Sequence, residues 1–150
     1  MTEPMTRLAD FMPYRISITS NAISDLIARE YRSRFGLKIA EWRVMAVLGD
    51  VGEATQRELV AATRMDKVAV NRATKALGDR ALIQRAPNMS DGRSHHLALT
   101  AEGKALYAEI MPLALQMEAQ VIEVLDPEEQ TQFSALLGRL LDRADSLSHE

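Results

Sequence analysis

The fold is decided by TQRELVAATRMDKVAVNRATKALGDRALIQRAPNMSDGRSHHLALT, residues 55–100 of the 150-residue chain. Thr55 followed three residues later by Glu58 is a capping box, which predicts that a short helix begins here. Asp66 is placed to cap the next helix, for which the pattern predicts residues 67–80. Two short helices joined by a tight turn therefore open this stretch.

A β-hairpin is predicted to follow the second helix. Residues 82–85 and 96–99 have the pattern of short strands, and residues 87–92 between them are rich in turn formers. The hairpin tip carries the sequence Asp91-Gly92-Arg93, so it presents a basic side chain. This order of two helices and a hairpin resembles a winged helix-turn-helix.

The second predicted helix has two unlike faces. Val70, Ala73 and Leu77 recur at helical spacing and form one buried face. The opposite side carries polar side chains that can pair with base edges in a major groove, and a valine flanks them. It consists of Lys67, Val68, Asn71, Arg72 and Lys75. We therefore expect this helix to read DNA.

Side chains beside this helix are predicted to hold the DNA backbone. Thr55, Gln56 and Arg57 start the preceding helix, whose N-terminus attracts phosphate. Arg93, at the hairpin tip, can extend into a minor groove. The alternative is that these charges belong to an ordinary solvated surface, but the order of the elements favours DNA binding.

The charge distribution fits this interpretation although the net charge is −3. Residues 64–93 contain seven basic and three acidic residues, whereas residues 101–150 contain three basic and ten acidic residues. Because salt limits the reach of a charge to about 10 Å, the local patch matters more than the total. We expect the acidic segment to lie away from the nucleic acid.

The composition excludes several other classes of protein. The absence of cysteine excludes disulfides, thiolate metal sites and thiol-based sensing. His95 and His96 point to opposite faces of a predicted strand, so we expect no metal and no cofactor. No nucleophile elbow or glycine-rich phosphate loop is present, which argues against an enzyme. No segment has the length of a membrane span or the pattern of a secretory signal, so we expect a cytoplasmic protein.

Four further helices complete the prediction of a single domain, residues 1–150. They span residues 11–35, residues 40–52, residues 101–125 and the chain from residue 127 onward. Gly36 is placed to end the first of them, and Gly49 and Gly52 the second. Pro112 is expected to kink the third, because proline removes a backbone hydrogen bond.

Three segments carry a family resemblance: VAVNRATKALGDRALIQR, DGR and LALTAEGKAL, all within residues 68–106. They are similar to the recognition helix, strand, wing tip and following helix of the MarR family of bacterial transcription regulators. The matching positions are Val70-Asn71-Arg72, Leu77, Leu82–Arg85, Asp91–Arg93 and Leu99–Gly103. Two positions depart from the family pattern: Ala81 stands where glycine is common, and the wing has no second consecutive arginine.

The resemblance implies a mostly α fold, an α+β winged helix with about six helices and a small β-hairpin wing. It implies a DNA-binding lobe at residues 36–100, with dimerisation through the N- and C-terminal helices, residues 10–35 and 101–147. The expected function is a homodimeric regulator, usually a repressor, that binds double-stranded DNA at a palindromic operator. The alternative is a winged helix that binds protein and not DNA.

The family commonly responds to a small aromatic or lipophilic acid, and an aromatic acyl-CoA is one candidate. The resemblance places this effector between the dimerisation helices and the DNA-binding lobe. Residues that could line such a cleft supply apolar walls and cations for a carboxylate. They are Tyr14, Arg15, Trp42, Arg43, Met45 and Met111. For each of them, an ordinary place in the core is the alternative.

Overall fold

The computed structural model describes Met5, residues 7–86 and residues 95–150. Within these residues, a short 3-10 turn at Leu8–Asp10 precedes six α-helices and three strands. The helices are α1 (Met12–Phe35), α2 (Ile39–Val51), α3 (Gln56–Thr63), α4 (Lys67–Asp79), α5 (Ala101–Ile122) and α6 (Pro127–Ser148). The strands are β1 (Glu53–Ala54), β2 (Ile83–Arg85) and β3 (Leu97–Leu99). The predicted fold class, six helices with a small β-sheet, is confirmed.

The chain packs as two compact units, residues 1–115 and residues 116–150. The predicted DNA-binding lobe, residues 36–100, lies within the first unit. No helix in the described part of the chain is long and apolar enough to cross a bilayer.

Side-chain caps start α3 and α4 where the sequence predicts them, and α6 begins with a cap of the same kind. In α3, the Glu58 N–H donates to Thr55 Oγ1 over 3.1 Å. In α4, the Ala69 N–H donates to the carboxylate of Asp66 over 2.8 Å. The Asp126 carboxylate does the same for α6. Each cap satisfies a backbone donor that would otherwise have no partner in the first turn.

The glycines of α1 and α2 have different roles. α1 ends at Gly36, whose φ of 65° is the left-handed conformation that glycine adopts freely. The prediction that Gly49 stops α2 is wrong, because the helix continues through it to Gly52. A Cβ at Gly49 would lie 2.5–2.8 Å from ring carbons of Tyr107, so this glycine makes room for the α5 side chain.

The strands form an antiparallel sheet in the order β1-β3-β2. Ile83 pairs with Leu99, as expected for the base of a hairpin. β1 was not predicted, because two residues have no readable periodicity, and it joins the sheet through Glu53 opposite Ala98. The tip residues Asp91, Gly92 and Arg93 lie outside the described residues.

The segment Leu99–Gly103, with the pattern Leu-Thr-x-x-Gly, lies at the junction of α4, β2 and α5. The contacts there explain why it contains a threonine and a glycine. Thr100 Oγ1 donates to the Ala81 carbonyl over 2.6 Å and accepts from the Gly103 N–H over 3.0 Å. A Cβ at Gly103 would collide with the Leu82 carbonyl oxygen, so only glycine allows this approach. The threonine caps α5 and also ties it to the end of α4.

The backbone at Ala81 gives a test of this junction. Its φ of 57° is left-handed, a conformation that costs an L-residue about 1 kcal/mol and costs glycine nothing. We expect Ala81→Gly to raise the free energy of unfolding, measured in urea, by up to about 1 kcal/mol.

The matched control is Ala105→Gly, at an exposed position inside α5. Here the same change should lower the free energy of unfolding by about 1 kcal/mol, because glycine is a poor helix former. A loss of stability in both variants would contradict the strain assigned to Ala81.

Candidate nucleic-acid interface

The two faces predicted for α4 are present in the structure. Val70 and Leu77 are fully buried, and Ala73 is 3% exposed. They belong to the core that α4 shares with residues of α2 and α3. The opposite face is exposed along its whole length: Lys67, Val68, Asn71, Arg72 and Lys75. These five side chains therefore form one continuous surface, here called the reading face.

The reading face combines hydrogen-bonding groups with an apolar one. Asn71 and Arg72 can each make paired hydrogen bonds to a base edge, to adenine and guanine respectively. Val68 is 59% exposed, an unusual position for valine, and its methyl groups can contact the methyl group of thymine. The face thus offers direct readout at three positions of one helix.

The three residues at the start of α3 that were predicted to contact the DNA backbone have different environments. Arg57 is exposed and available to a phosphate. Thr55 is half-buried, and its hydroxyl takes part in the helix cap. Gln56 points toward α4, because its Nε2 donates to Thr74 Oγ1 over 2.7 Å. The sequence did not indicate this last contact, since the partners lie 18 residues apart.

One basic residue near α4 has a structural role that sequence reasoning missed. Arg80 follows α4, and its guanidinium donates to the Phe35 carbonyl over 2.9 Å and to the Gly36 carbonyl over 3.4 Å. It therefore satisfies carbonyl groups at the C-terminal end of α1, where a cation is also favoured by the helix dipole. Not every cation in the basic stretch is free for DNA.

The two adjacent histidines, His95 and His96, have different environments. His95 is exposed, whereas His96 is half-buried and its Nε2 lies 3.9 Å from Glu58 Oε1. The residue before β3 therefore lies next to the capped start of α3. Among the described residues, no group of three His, Asp or Glu side chains could hold a metal ion.

The candidate effector residues do not all lie in one kind of environment. Met45 is fully buried and Trp42 is 9% exposed, so both are part of the core. Met111 is half-buried and packs against that core. Tyr14, Arg15 and Arg43 are exposed. The six residues are thus divided between the core and the surface, and the effector site remains a prediction.

Trp42 instead lies between two tyrosines. Its ring centroid is 5.6 Å from that of Tyr31 and 5.8 Å from that of Tyr107, so the stack connects α1, α2 and α5. Burial raises the pKa of the Tyr31 phenol, although Arg43 and Arg32 oppose the change. The phenol is therefore neutral at physiological pH.

Apolar side chains are exposed on the two terminal helices. On α6 they form a stripe in which each member is 45–54% exposed: Phe133, Leu136, Leu137, Leu140 and Leu141. Near the N-terminus the exposed apolar side chains include Leu8 and Phe11, which precede α1, and Met12, Ile16 and Ile18 on α1. Exposed apolar surface of this kind is typical of sites that bind another protein, a membrane or a ligand.

Comparison with known proteins agrees with this geometry. The sequence model of the MarR family matches residues 35–94 of this chain. The HTH-type transcriptional repressor NicR of Pseudomonas putida is 24% identical over an alignment that covers 94% of this chain and 94% of NicR.

Two solved structures have a similar fold. A MarR/EmrR family regulator from Acinetobacter sp. ADP1 matches with a TM-score of 0.86 and 25% identity, over 94% of this chain and 99% of that one. BpsR of Bordetella bronchiseptica, whose DNA binding is regulated by 6-hydroxynicotinic acid, matches with a TM-score of 0.80 and 22% identity. That match covers 93% of this chain and 99% of BpsR.

The same conclusion follows from the winged-helix order of the elements, from the exposed reading face and from these similarities. Residues 35–94 match the MarR family, and the fold of the chain is similar to the solved structures of winged helix-turn-helix transcription regulators of that family.

Proposed function

We propose that this protein is a homodimeric repressor that binds a palindromic operator and is released from it by a small aromatic or lipophilic acid. The observation that carries the proposal is the reading face, where polar side chains are exposed on a helix whose other side is buried. A helix of 13 residues is long enough to lie in a major groove.

Apart from Gln56, which bonds to α4, the predicted contact residues are given roles that suit their positions. Asn71 and Arg72 read base edges, while Lys67 and Lys75 hold phosphate or guanine. Arg57 binds the sugar-phosphate backbone near the N-terminus of α3, where Thr55 caps the helix. Arg93, outside the described residues, is proposed to enter the adjacent minor groove.

A dimer explains the apolar stripe on α6 and the exposed side chains near the start of α1. One reading face contacts only a few base pairs, whereas two faces related by a twofold axis can bind half-sites about 34 Å apart. A twofold interface brings the same surface of both copies together, so exposed leucines on one copy cover those on the other. We therefore assign dimerisation to the terminal helices.

An aromatic acid is the proposed effector. BpsR, which shares the fold, is regulated by 6-hydroxynicotinic acid, and NicR is named as a repressor. In this chain the exposed cations Arg15 and Arg43 would hold the carboxylate, with Tyr14 and the half-buried Met111 supplying apolar surface. Trp42 and Met45, which the sequence also suggested, lie in the core and would act only as the wall behind such a site. The acid must bind the DNA-free arrangement more tightly, because only a difference in affinity can shift the population.

The alternative is a winged helix that binds protein alone. It predicts weak binding to nucleic acid without a strong dependence on salt. The DNA-binding proposal predicts that affinity falls steeply with salt, because each phosphate contact releases counterions. Operator fragments can be selected from genomic DNA with the purified protein, and their affinity measured by fluorescence anisotropy over a range of salt concentrations.

Arg72 and Arg80 form a matched pair of arginines for testing the interface. Arg72→Ala should weaken operator binding by about tenfold or more, with a smaller effect on scrambled DNA, because a lost base contact costs about 1–3 kcal/mol. Arg80→Ala should instead lower the free energy of unfolding by about 0.5 kcal/mol, the value of an exposed cation at a helix end.

Arg93→Ala should reduce the affinity for operator DNA and for scrambled DNA alike, because a minor-groove or backbone contact carries little sequence information. Anisotropy titrations and urea unfolding of the three variants give these values. Equal losses on operator and scrambled DNA for Arg72→Ala would refute its assignment to a base.

The dimer is tested at the α6 stripe. Leu140 is 54% exposed in a single copy, so Leu140→Asp should leave each copy folded but shift the protein to a monomer in light scattering at micromolar concentration. Val51→Asp, at a position 56% exposed at the end of α2, should remain dimeric. A wild-type monomer that still binds its operator would contradict the proposed assembly.

The effector is tested by thermal unfolding with phenolic acids, 6-hydroxynicotinic acid and aromatic CoA thioesters. A ligand that binds only the folded protein raises its melting temperature, and the rise grows as the ligand concentration exceeds the dissociation constant. The stabilising acid should also release the protein from the selected operator, and Arg43→Ala should reduce both effects. Melting temperatures unchanged by every compound would remove this part of the proposal.

A further inference from the structure

A chain of two hydrogen bonds joins the start of α3 to the middle of α4. Gln56, the first residue of α3, donates from Nε2 to Thr74 Oγ1 over 2.7 Å. Thr74 Oγ1 donates in turn to the Asn71 carbonyl over 3.1 Å. Thr74 is 7% exposed, so it lies on the buried side of α4 and cannot touch DNA itself.

Stability does not explain why glutamine occupies this position. Its Oε1 is buried and has no hydrogen-bond partner among the described residues. An unpartnered buried oxygen of this type costs about 1–3 kcal/mol. Methionine has a similar length and no such group, so it would fill the position without that cost. The amide must therefore contribute something other than a favourable free energy of unfolding.

Its contribution follows from the difference between apolar and polar contacts. The apolar contacts of α4 through Val70 and Leu77 are non-directional, so they tolerate small rotations and shifts along the helix. Paired hydrogen bonds to bases tolerate only about 0.5 Å and 10–20°. The bond from Gln56 is directional, and it ends one helical turn beyond Asn71, on the helix that carries the reading face.

We propose that Gln56 and Thr74 form a latch that positions α4 for base readout, and that Gln56 is a specificity-determining positioning residue. This changes the sequence prediction, in which Gln56 contacts a backbone phosphate. The inference rests on the proposed function, since specificity has meaning only for a protein that selects an operator.

The test compares affinities for two duplexes of equal length by fluorescence anisotropy. One is an operator fragment selected from genomic DNA by the wild-type protein, and the other is its scrambled sequence. Thr74→Val and Gln56→Met should each lower the affinity for the operator by about tenfold. Each should lower the affinity for the scrambled duplex by about twofold or less. A tenfold loss corresponds to one hydrogen bond of about 1.4 kcal/mol.

Two further results distinguish a latch from separate contacts. The double variant, Gln56→Met with Thr74→Val, should have the same affinity for the operator as whichever single variant binds it less tightly. This is expected because both changes break the same connection. Gln56→Met should melt at or above the wild-type temperature, because it removes the unpartnered oxygen. A variant that is more stable and less specific is not expected from a merely structural residue.

Two control variants complete the test. Thr74→Ser keeps the hydroxyl and should retain operator affinity. Thr131→Val, which removes a similar hydroxyl-to-carbonyl bond in α6, should leave the affinity for both duplexes unchanged.

The proposal is overturned if Thr74→Val binds the operator within twofold of wild type, or if affinity for both duplexes falls by the same factor. If Thr74→Val does not fold, Gln56→Met supplies the same comparison. Wild-type protein that binds both duplexes equally would refute the proposed function itself, before any variant is made.

Discussion

The burial of one side of α4 is the constraint on which the rest of the interface depends. Val70 and Leu77 are fully buried, and burying each such side chain contributes about 1.5–3 kcal/mol. Rotating the helix by one residue, about 100°, would move them toward water and bring polar side chains into the core. The positions of Asn71 and Arg72 on the outside are therefore fixed by the apolar residues behind them.

Hydrophobic burial selects the face of α4, and directional contacts determine where the helix lies. Arg80 joins its end to the carbonyls at the end of α1. Thr100 joins the Ala81 carbonyl to the start of α5. Gln56 joins α3 to Thr74 near the middle of the helix. Through these contacts α4 and the two residues that follow it are connected to three other helices.

Local features of the sequence predicted most of this architecture. The caps at Thr55 and Asp66 use partners three residues away, and the face of α4 follows from periodicity. Features that depend on distant partners were not predictable: Gly49 faces a ring on α5, and Arg80 meets carbonyls more than 40 residues earlier in the chain. For the effector the sequence could offer side-chain types but not their environment, and Met45 proved to be fully buried.

Chemical interference tests most directly whether the reading face enters a major groove. Dimethyl sulfate methylates guanine at N7, in the major groove, and adenine at N3, in the minor groove. We predict that N7 methylation within two half-sites, one helical turn apart, prevents the protein from binding its selected operator. Binding that is insensitive to N7 methylation throughout the site would contradict the assignment of α4 as the reading element.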